Sequence, residues 1–328
     1  MIKRRIRKVG VIGSGIMGAQ IAAHFANIGV EALLLDIPPN ELTEKESKAG
    51  LSLDDPQVRG RIARENLAKT VKMNPAPFYS RSFASRVSTG NLEDDIQKLA
   101  EVDWIIEVVV ERLDIKHQVL AKVDQVRKPG TLVSTNTSGI PIHLMLEGRS
   151  EDFRKHFCGT HFFNPPRYLQ LLEIIPTPET DPQVIDFLMH YGDLFLGKTT
   201  VLAKDTPAFI ANRIGVFGIM ALFHDMLESD LTVEEVDKLT GPVIGRPKSA
   251  TFRTSDVVGL DTLVHVANGL AKACPNDERK DVFQMPAFIA DMQEKNRLGS
   301  KTGEGFYKKT QKEDGSKEIL SLNLQTAE

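Results

Sequence analysis

Two residues twelve positions apart, His161 and Glu173, carry the side chains best suited to moving a proton. An imidazole exchanges a proton near neutral pH, and a carboxylate on one of its nitrogens fixes the tautomer and stabilises the imidazolium that forms. His161 closes an apolar run, and Pro165 and Pro166 behind it force a turn. The segment Tyr168 to Ile175 then reads as a strand carrying Glu173. A chain that doubles back near Pro166 and Arg167 brings Glu173 across to His161. Taken alone, a histidine among aromatic residues reads as a packing residue and a strand glutamate as half of an ion pair. The functional reading needs a redox cofactor nearby.

Such a site is written near the start of the chain. Gly13, Gly15 and Gly18, with Ile16 and Met17 between them, form a GxGxxG motif directly after the apolar run Val9 to Ile12 and directly before a helical pattern. In that setting the glycines allow a tight turn, close approach of a pyrophosphate, and close packing of helix on strand. The helix N-terminus adds free N–H groups and a positive dipole end. Asp36 ends the next apolar run at the spacing of a carboxylate that binds ribose hydroxyls. Neither arginine nor lysine follows it immediately, and its charge repels a 2′-phosphate, so NAD is expected over NADP. The competing reading makes these glycines turn residues and Asp36 a solvated strand end.

The elements that must position these groups follow from periodicity. Val9 to Ile12, the helical pattern through Ile21, Phe25 and Ile28 closed by Gly29, and Ala32 to Leu35 make one βαβ unit. Apolar strands return at Trp104 to Val110 and Thr131 to Ser134, with a helix over Leu113 to Val126 between them. Pro56 to Met73 reads as a charged helix with Arg61, Arg64, Glu65, Lys69 and Lys72 on its polar positions, stopped by Pro75 and Pro77. Past Pro182 strands give way to long helical patterns, from about Pro207 onward. Pro207 suits a first helical turn, capped by Thr206 or Asp205. The expected architecture is α/β: a Rossmann-type, mostly parallel sheet domain over residues 1–204, then an all-α C-terminal domain over 205–328. The last dozen residues read as a frayed end.

Composition narrows the function classes. The chain has 328 residues, room for two domains, with 41% hydrophobic and 26% charged residues, as in soluble globular proteins. A net charge of -3 gives no overall attraction for nucleic acid or anionic lipid. Cys158 and Cys274 are the only cysteines, too few and too far apart for a disulfide framework or a zinc site, so no metal is expected and a reducing compartment is. The basic start, Met1 to Lys8, runs straight into a strand, and no stretch has the roughly 20 apolar residues of a membrane span. A cytoplasmic protein is expected.

Over nearly its whole length the sequence resembles the 3-hydroxyacyl-CoA dehydrogenases of fatty-acid β-oxidation. The resemblance rests on Gly13-Ser-Gly-Ile-Met-Gly18, Glu111 with Lys116, Ser134-Thr-Asn-Thr-Ser138, His161-Phe-Phe-Asn-Pro165, Glu173, Asp205-Thr-Pro207 with Asn212-Arg213, and Lys301-Thr-Gly-Glu-Gly-Phe-Tyr307. It implies that His161 is the base, that Glu173 orients it, and that (S)-3-hydroxyacyl-CoA is oxidised to 3-oxoacyl-CoA with NAD. It further implies that Ser138 contacts the substrate hydroxyl and the nicotinamide, that Asn212 completes the substrate site, and that Asn164 holds the pocket. Glu111, Lys116 and Lys301 match cofactor-contacting positions. Read without the resemblance, Ser138 is equally a turn residue and Asn212 a helix amide.

Coenzyme A carries several phosphate charges, and the basic helix Pro56 to Met73 is the candidate for its docking, against the plainer reading of a solvated face. Here the sequence departs from the family, which has a serine and a lysine on this helix where a gapless match gives Asn66 and Met73. Asn66, Lys69 and Lys72 remain as candidate CoA contacts. A second departure, Gly245-Arg-Pro-Lys-Ser-Ala-Thr-Phe252, is similar to the dehydrogenase module of larger β-oxidation proteins and implies either a shortened relative of such a protein or a fragment of one, the latter with a hydratase module in a longer native chain. The strongly apolar stretch Ile210 to Phe223 and the family both suggest a homodimer. Two other functions fit the same frame: a dehydrogenase of a small β-hydroxy acid, which generally uses a helix lysine where this chain offers His161 and Glu173, and a non-catalytic NAD(H)-binding protein.

Overall fold

A computed structural model describes residues 4–312 and 314–324. The first part of the basic start and the last residues of the expected frayed end lie outside the described residues. The chain divides into two compact units, Met1–Phe209 and Ile210–Glu328.

In the first unit eight strands share one sheet: β1 Lys8–Ile12, β2 Glu31–Asp36, β3 Val87–Asn91, β4 Trp104–Glu107, β5 Leu132–Thr135, β6 Phe157–Phe162, β7 Leu171–Pro176 and β8 Thr199–Leu202. Their order is β3-β2-β1-β4-β5-β6-β7-β8, and every neighbouring pair is parallel except β6 with β7. Parallel neighbours need crossovers, and helices Ile16–Asn27, Arg61–Val71 and Leu113–Val126 help supply them. Val9, Val11, Ile12, Ile105 and Ile106 are fully buried, as expected of strands covered on both faces. Trp104 anchors this core, edge-on to Phe25 at 5.4 Å, with its indole N–H donated to Ser134 Oγ at 2.9 Å. Winding reverses between β1 and β4, so their carboxyl ends open the crevice where such sheets receive ligands.

The structure corrects several expectations. The charged helix is broken at Gly60 into Pro56–Arg59 and Arg61–Val71, which leaves Lys72 and Met73 beyond its end. Pro207 does not open a helix: Ala208 and Phe209 take positive φ angles of 59° and 52°, and the helix begins at Ala211. Asp205 caps nothing there, because its carboxylate accepts from the backbone N–H groups of Ile142 and His143 and from His143 Nδ1. Strands β3 and β8 have no apolar run to announce them.

The second unit is helical, with helices Ala211–Asp225, Val233–Thr240, Phe252–Val258, Leu260–Ala273 and Ala287–Glu294. It is not purely so: β9 Tyr307–Gln311 and β10 Lys317–Ser321 form an antiparallel ribbon, which takes up the start of the segment expected to fray. The ribbon is tied down where Leu322 N donates to Phe306 O at 2.8 Å. Phe306 in turn packs on Phe252 at 4.6 Å and Phe223 at 5.5 Å. No helix of the described residues is long and apolar enough to cross a membrane.

Candidate active site

The antiparallel pair β6–β7 sets His161 directly opposite Glu173. His161 Nδ1 and Glu173 Oε2 lie 2.7 Å apart, with the carboxylate fully buried and the imidazole 5% exposed. A carboxylate accepts only, so Nδ1 carries the hydrogen, and in the neutral imidazole Nε2 keeps a lone pair. Nε2 has no hydrogen-bond partner among the described residues. Phe163 and Phe209 flank the ring at 4.4 and 5.7 Å. The reversal between the strands is clamped from behind by Lys198, whose ammonium donates to the carbonyls of Pro166 and, at 2.8 Å, of Leu169. Burial pulls that ammonium down to about 8. Arg167 ties the same turn to the carbonyls of Ala76 and Phe78.

Ser138 lies on the loop after β5, and Glu111 shapes that loop. Glu111 Oε1 accepts from Thr137 Oγ1 and from the N–H groups of Ser138, Gly139 and Ile140 at 3.1, 2.9 and 3.2 Å. Partial burial pushes the Glu111 carboxyl up, but these donors and the charge of Lys116 outweigh it and hold it below the usual carboxylate range. The Ser138 hydroxyl has no partner among the described residues and is exposed. Asn136 Oδ1, on the same loop, accepts from Phe162 N at 2.9 Å and ties it to the residue after His161. Asn164 is exposed at the start of the turn and accepts from Gln20 Nε2 at 3.3 Å.

The glycine-rich turn fits a dinucleotide. Gly13 has φ +99°, and a Cβ there would sit 2.4 Å from Val108 O; one on Gly18 would sit 1.8 Å from Gly13 O. Around Gly15 the space is open, as approach of a phosphate to the backbone requires. Ile16 is 65% exposed on the first turn of the helix, while Met17 packs on the core. Asp36 Oδ2 accepts from Ser14 N and Oγ at 2.6 and 2.5 Å, which holds the carboxylate against the turn. Asn66, a candidate CoA contact, donates to Ser14 Oγ at 2.9 Å and supports this turn.

The other candidate residues differ in how they are held. The Lys116 ammonium, buried to 1% exposure, sits on Glu107 Oε1 and Oε2 at 2.8 and 2.9 Å and reaches Glu111 only at 3.5 Å. Glu107 also accepts from Thr135 Oγ1 at 2.5 Å and Val109 N at 2.7 Å. Of the basic helix, Arg61 pairs with Glu46, while Lys69 and Lys72 stay exposed. Asn212 and Lys301 belong to the second unit, where Asn212 lies in the first turn of helix Ala211–Asp225 and Lys301 pairs with Asp261. Sequence reasoning missed Glu107, Ser14, Asn136 and Lys198. The first had a signal, a carboxylate ending an otherwise apolar strand; Ser14 and Asn136 lay inside recognised motifs; Lys198 had none.

Comparison with known proteins bears on this geometry. Residues 8–206 match the family model described as 3-hydroxyacyl-CoA dehydrogenase, NAD binding domain, and residues 209–309 match the one described as 3-hydroxyacyl-CoA dehydrogenase, C-terminal domain. A Bacillus subtilis protein named probable 3-hydroxyacyl-CoA dehydrogenase is 56% identical over 93% of this chain, which spans only 39% of that relative's length. A Deinococcus radiodurans protein of the same name is 47% identical over 94% of this chain and 84% of its own length. Among solved structures, M. tuberculosis FadB2 is similar with a TM-score of 0.71 at 28% identity, covering 92% of this chain and 99% of that one. With both family modules matched in order, the NAD-binding one over the sheet that carries the glycine turn, the chain belongs to the 3-hydroxyacyl-CoA dehydrogenase family.

Proposed function

We propose that the chain oxidises (S)-3-hydroxyacyl-CoA to 3-oxoacyl-CoA, with His161 as general base and Glu173 as its orienting partner. The observation that carries this is the buried Nδ1–carboxylate hydrogen bond of 2.7 Å, which presents the lone pair of Nε2. Nε2 takes the proton of the substrate 3-hydroxyl, and Glu173 stabilises the imidazolium that results. NAD, when bound at the glycine turn, supplies the hydride acceptor. The free Ser138 hydroxyl, on a loop fixed by Glu111, donates to the substrate oxygen as its charge changes. The exposed Lys69 and Lys72 meet CoA phosphates as point charges.

The test follows NADH consumption with acetoacetyl-CoA and with a free β-keto acid, using His161→Gln as control. Turnover of acetoacetyl-CoA alone, lost in the variant, is expected. Preference for the free acid, or equal turnover by the variant, would overturn the proposal. For the whole protein we propose a homodimer, since Ile214 in the first helix of the second unit is 66% exposed, and membership in a longer β-oxidation protein with a hydratase module, in keeping with the partial span of the Bacillus relative. Light scattering and the intact mass of the native protein test these two points.

A further inference from the structure

The second unit contains a cavity of about 750 Å³ that no step of the dehydrogenase chemistry uses. Four cations line it: Lys238 of helix Val233–Thr240, Lys248 of the following loop, Arg253 of helix Phe252–Val258, and Lys309 of β9. Lys238, Lys248 and Lys309 make no ion pair among the described residues. Arg253 reaches Ser300 Oγ at 3.2 Å and Asp256 only at 3.8 Å.

The single carboxylate in the lining, Asp237, does not neutralise them. Its Oδ1 accepts from Thr251 N and Phe252 N at 3.0 and 2.7 Å, and its Oδ2 from Arg253 N and Tyr307 Oη at 3.0 and 2.9 Å. Four cations thus face one half-open cavity in a chain whose net charge is -3. Like charges gathered around one space repel, and an anion held between them relieves that repulsion. The larger groove of the first unit lacks this bias, since Glu31 and Asp186 stand there beside Arg4, Arg5 and Arg7.

Shape and the remaining walls narrow the ligand. The volume falls within the roughly 300–1,000 Å³ of small-molecule sites. Lysines as point charges and an arginine fork suit phosphate oxygens, and several negative charges in so small a space mean more than one phosphate. The other wall is apolar, with Pro242, Val243 and Ile319, and includes the Tyr307 ring, held by its hydroxyl on Asp237. A flat aromatic base packs on such a wall. We propose that this cavity binds a nucleoside polyphosphate, independently of the NAD site and of the dehydrogenase reading.

The full chain, saturated with NADH, is titrated calorimetrically with ATP and, separately, with inorganic tripolyphosphate. The expected result is one saturable ATP site per chain, weakened by added salt, with tripolyphosphate bound at least tenfold more weakly. The double variant Lys238→Glu/Lys248→Glu, both on exposed positions, should lose at least tenfold in ATP affinity with NADH affinity unchanged. No ATP binding to the parent chain, binding that NADH abolishes, or unchanged affinity in the double variant would each overturn the proposal. Tripolyphosphate binding as tight as ATP would overturn its nucleoside part.

Discussion

The first unit buries two glutamates completely, Glu107 at the end of β4 and Glu173 in the middle of β7, and sets them against different side chains. Glu107 faces a buried lysine, and with Lys116, Thr135 and Val109 N all donating to it the carboxylate joins β4, β5 and helix Leu113–Val126. Glu173 faces an imidazole whose second nitrogen is open. Burial and residue type are the same; the side chains that meet them differ. A lysine ammonium only donates and so locks the carboxylate, whereas an imidazole bonded through Nδ1 still presents a second nitrogen.

The largest separation between the two sites should come from His161→Gln, which removes the proposed base and should lower turnover by about a thousandfold or more, measured as NADH consumption with acetoacetyl-CoA. Its unfolding midpoint in urea should barely move. At the other site, Lys116→Met leaves Glu107 buried without its cation and should cost about 3–5 kcal/mol of stability, read from the same urea titration. A midpoint unchanged in Lys116→Met would break the contrast, since it would mean that Glu107 is not held by that charge.

A third buried group sharpens the comparison from another side. His24, 3% exposed and donating from Nε2 to Leu196 O at 3.0 Å, has its pKa pulled down to about 4 by burial and by the nearby Lys198 charge. As pH is lowered from about 6.5 to about 4 the unfolded chain takes up this proton and the folded chain does not, so stability falls on acidification across that window, by about 3 kcal/mol in all. His24→Gln should flatten that slope, as followed by denaturant unfolding at stepped pH. A slope unaltered by the substitution would place its origin elsewhere.

Smaller effects test the finer roles. Glu173→Gln keeps an acceptor for Nδ1 but loses the charge, and a turnover loss of about a hundredfold with little change in NADH affinity is expected. A loss confined to NADH affinity would contradict the pairing of Glu173 with His161. Asp36→Asn removes the carboxylate from the glycine turn, and NADH binding should weaken by about tenfold with turnover at saturation retained, as fluorescence titration would report.

How much of this was legible in the sequence depended on whether the signal was local. The glycine turn and Asp36 could be read because a strand, a turn and a helix follow one another there without a break. His161 and Glu173 could be brought together because two prolines mark the reversal between two apolar runs. The Lys116–Glu107 pair could not, since a lysine on an amphipathic helix looks solvated until the strand it lies over is known. Nor could the turn at Pro207, whose positive φ angles fall on Ala208 and Phe209, residues that do not advertise them. The ribbon β9–β10 escaped for a third reason: Tyr-Lys-Lys-Thr-Gln and Lys-Glu-Ile-Leu-Ser carry too many charges to read as strands, and they pair on an exposed surface.

The antiparallel register of β6 and β7 also limits how this sequence can change. Residues 163–170 connect the two strands, and Glu173 stands opposite His161 only at this loop length. Side chains alternate along a strand, so inserting or deleting one residue would turn position 173 to the other face of the sheet, and two would move it a full step past the imidazole. Substitutions in that connection are a matter of degree. Its length is all or nothing, so homologues that keep the chemistry should vary there in residue identity and not in residue number.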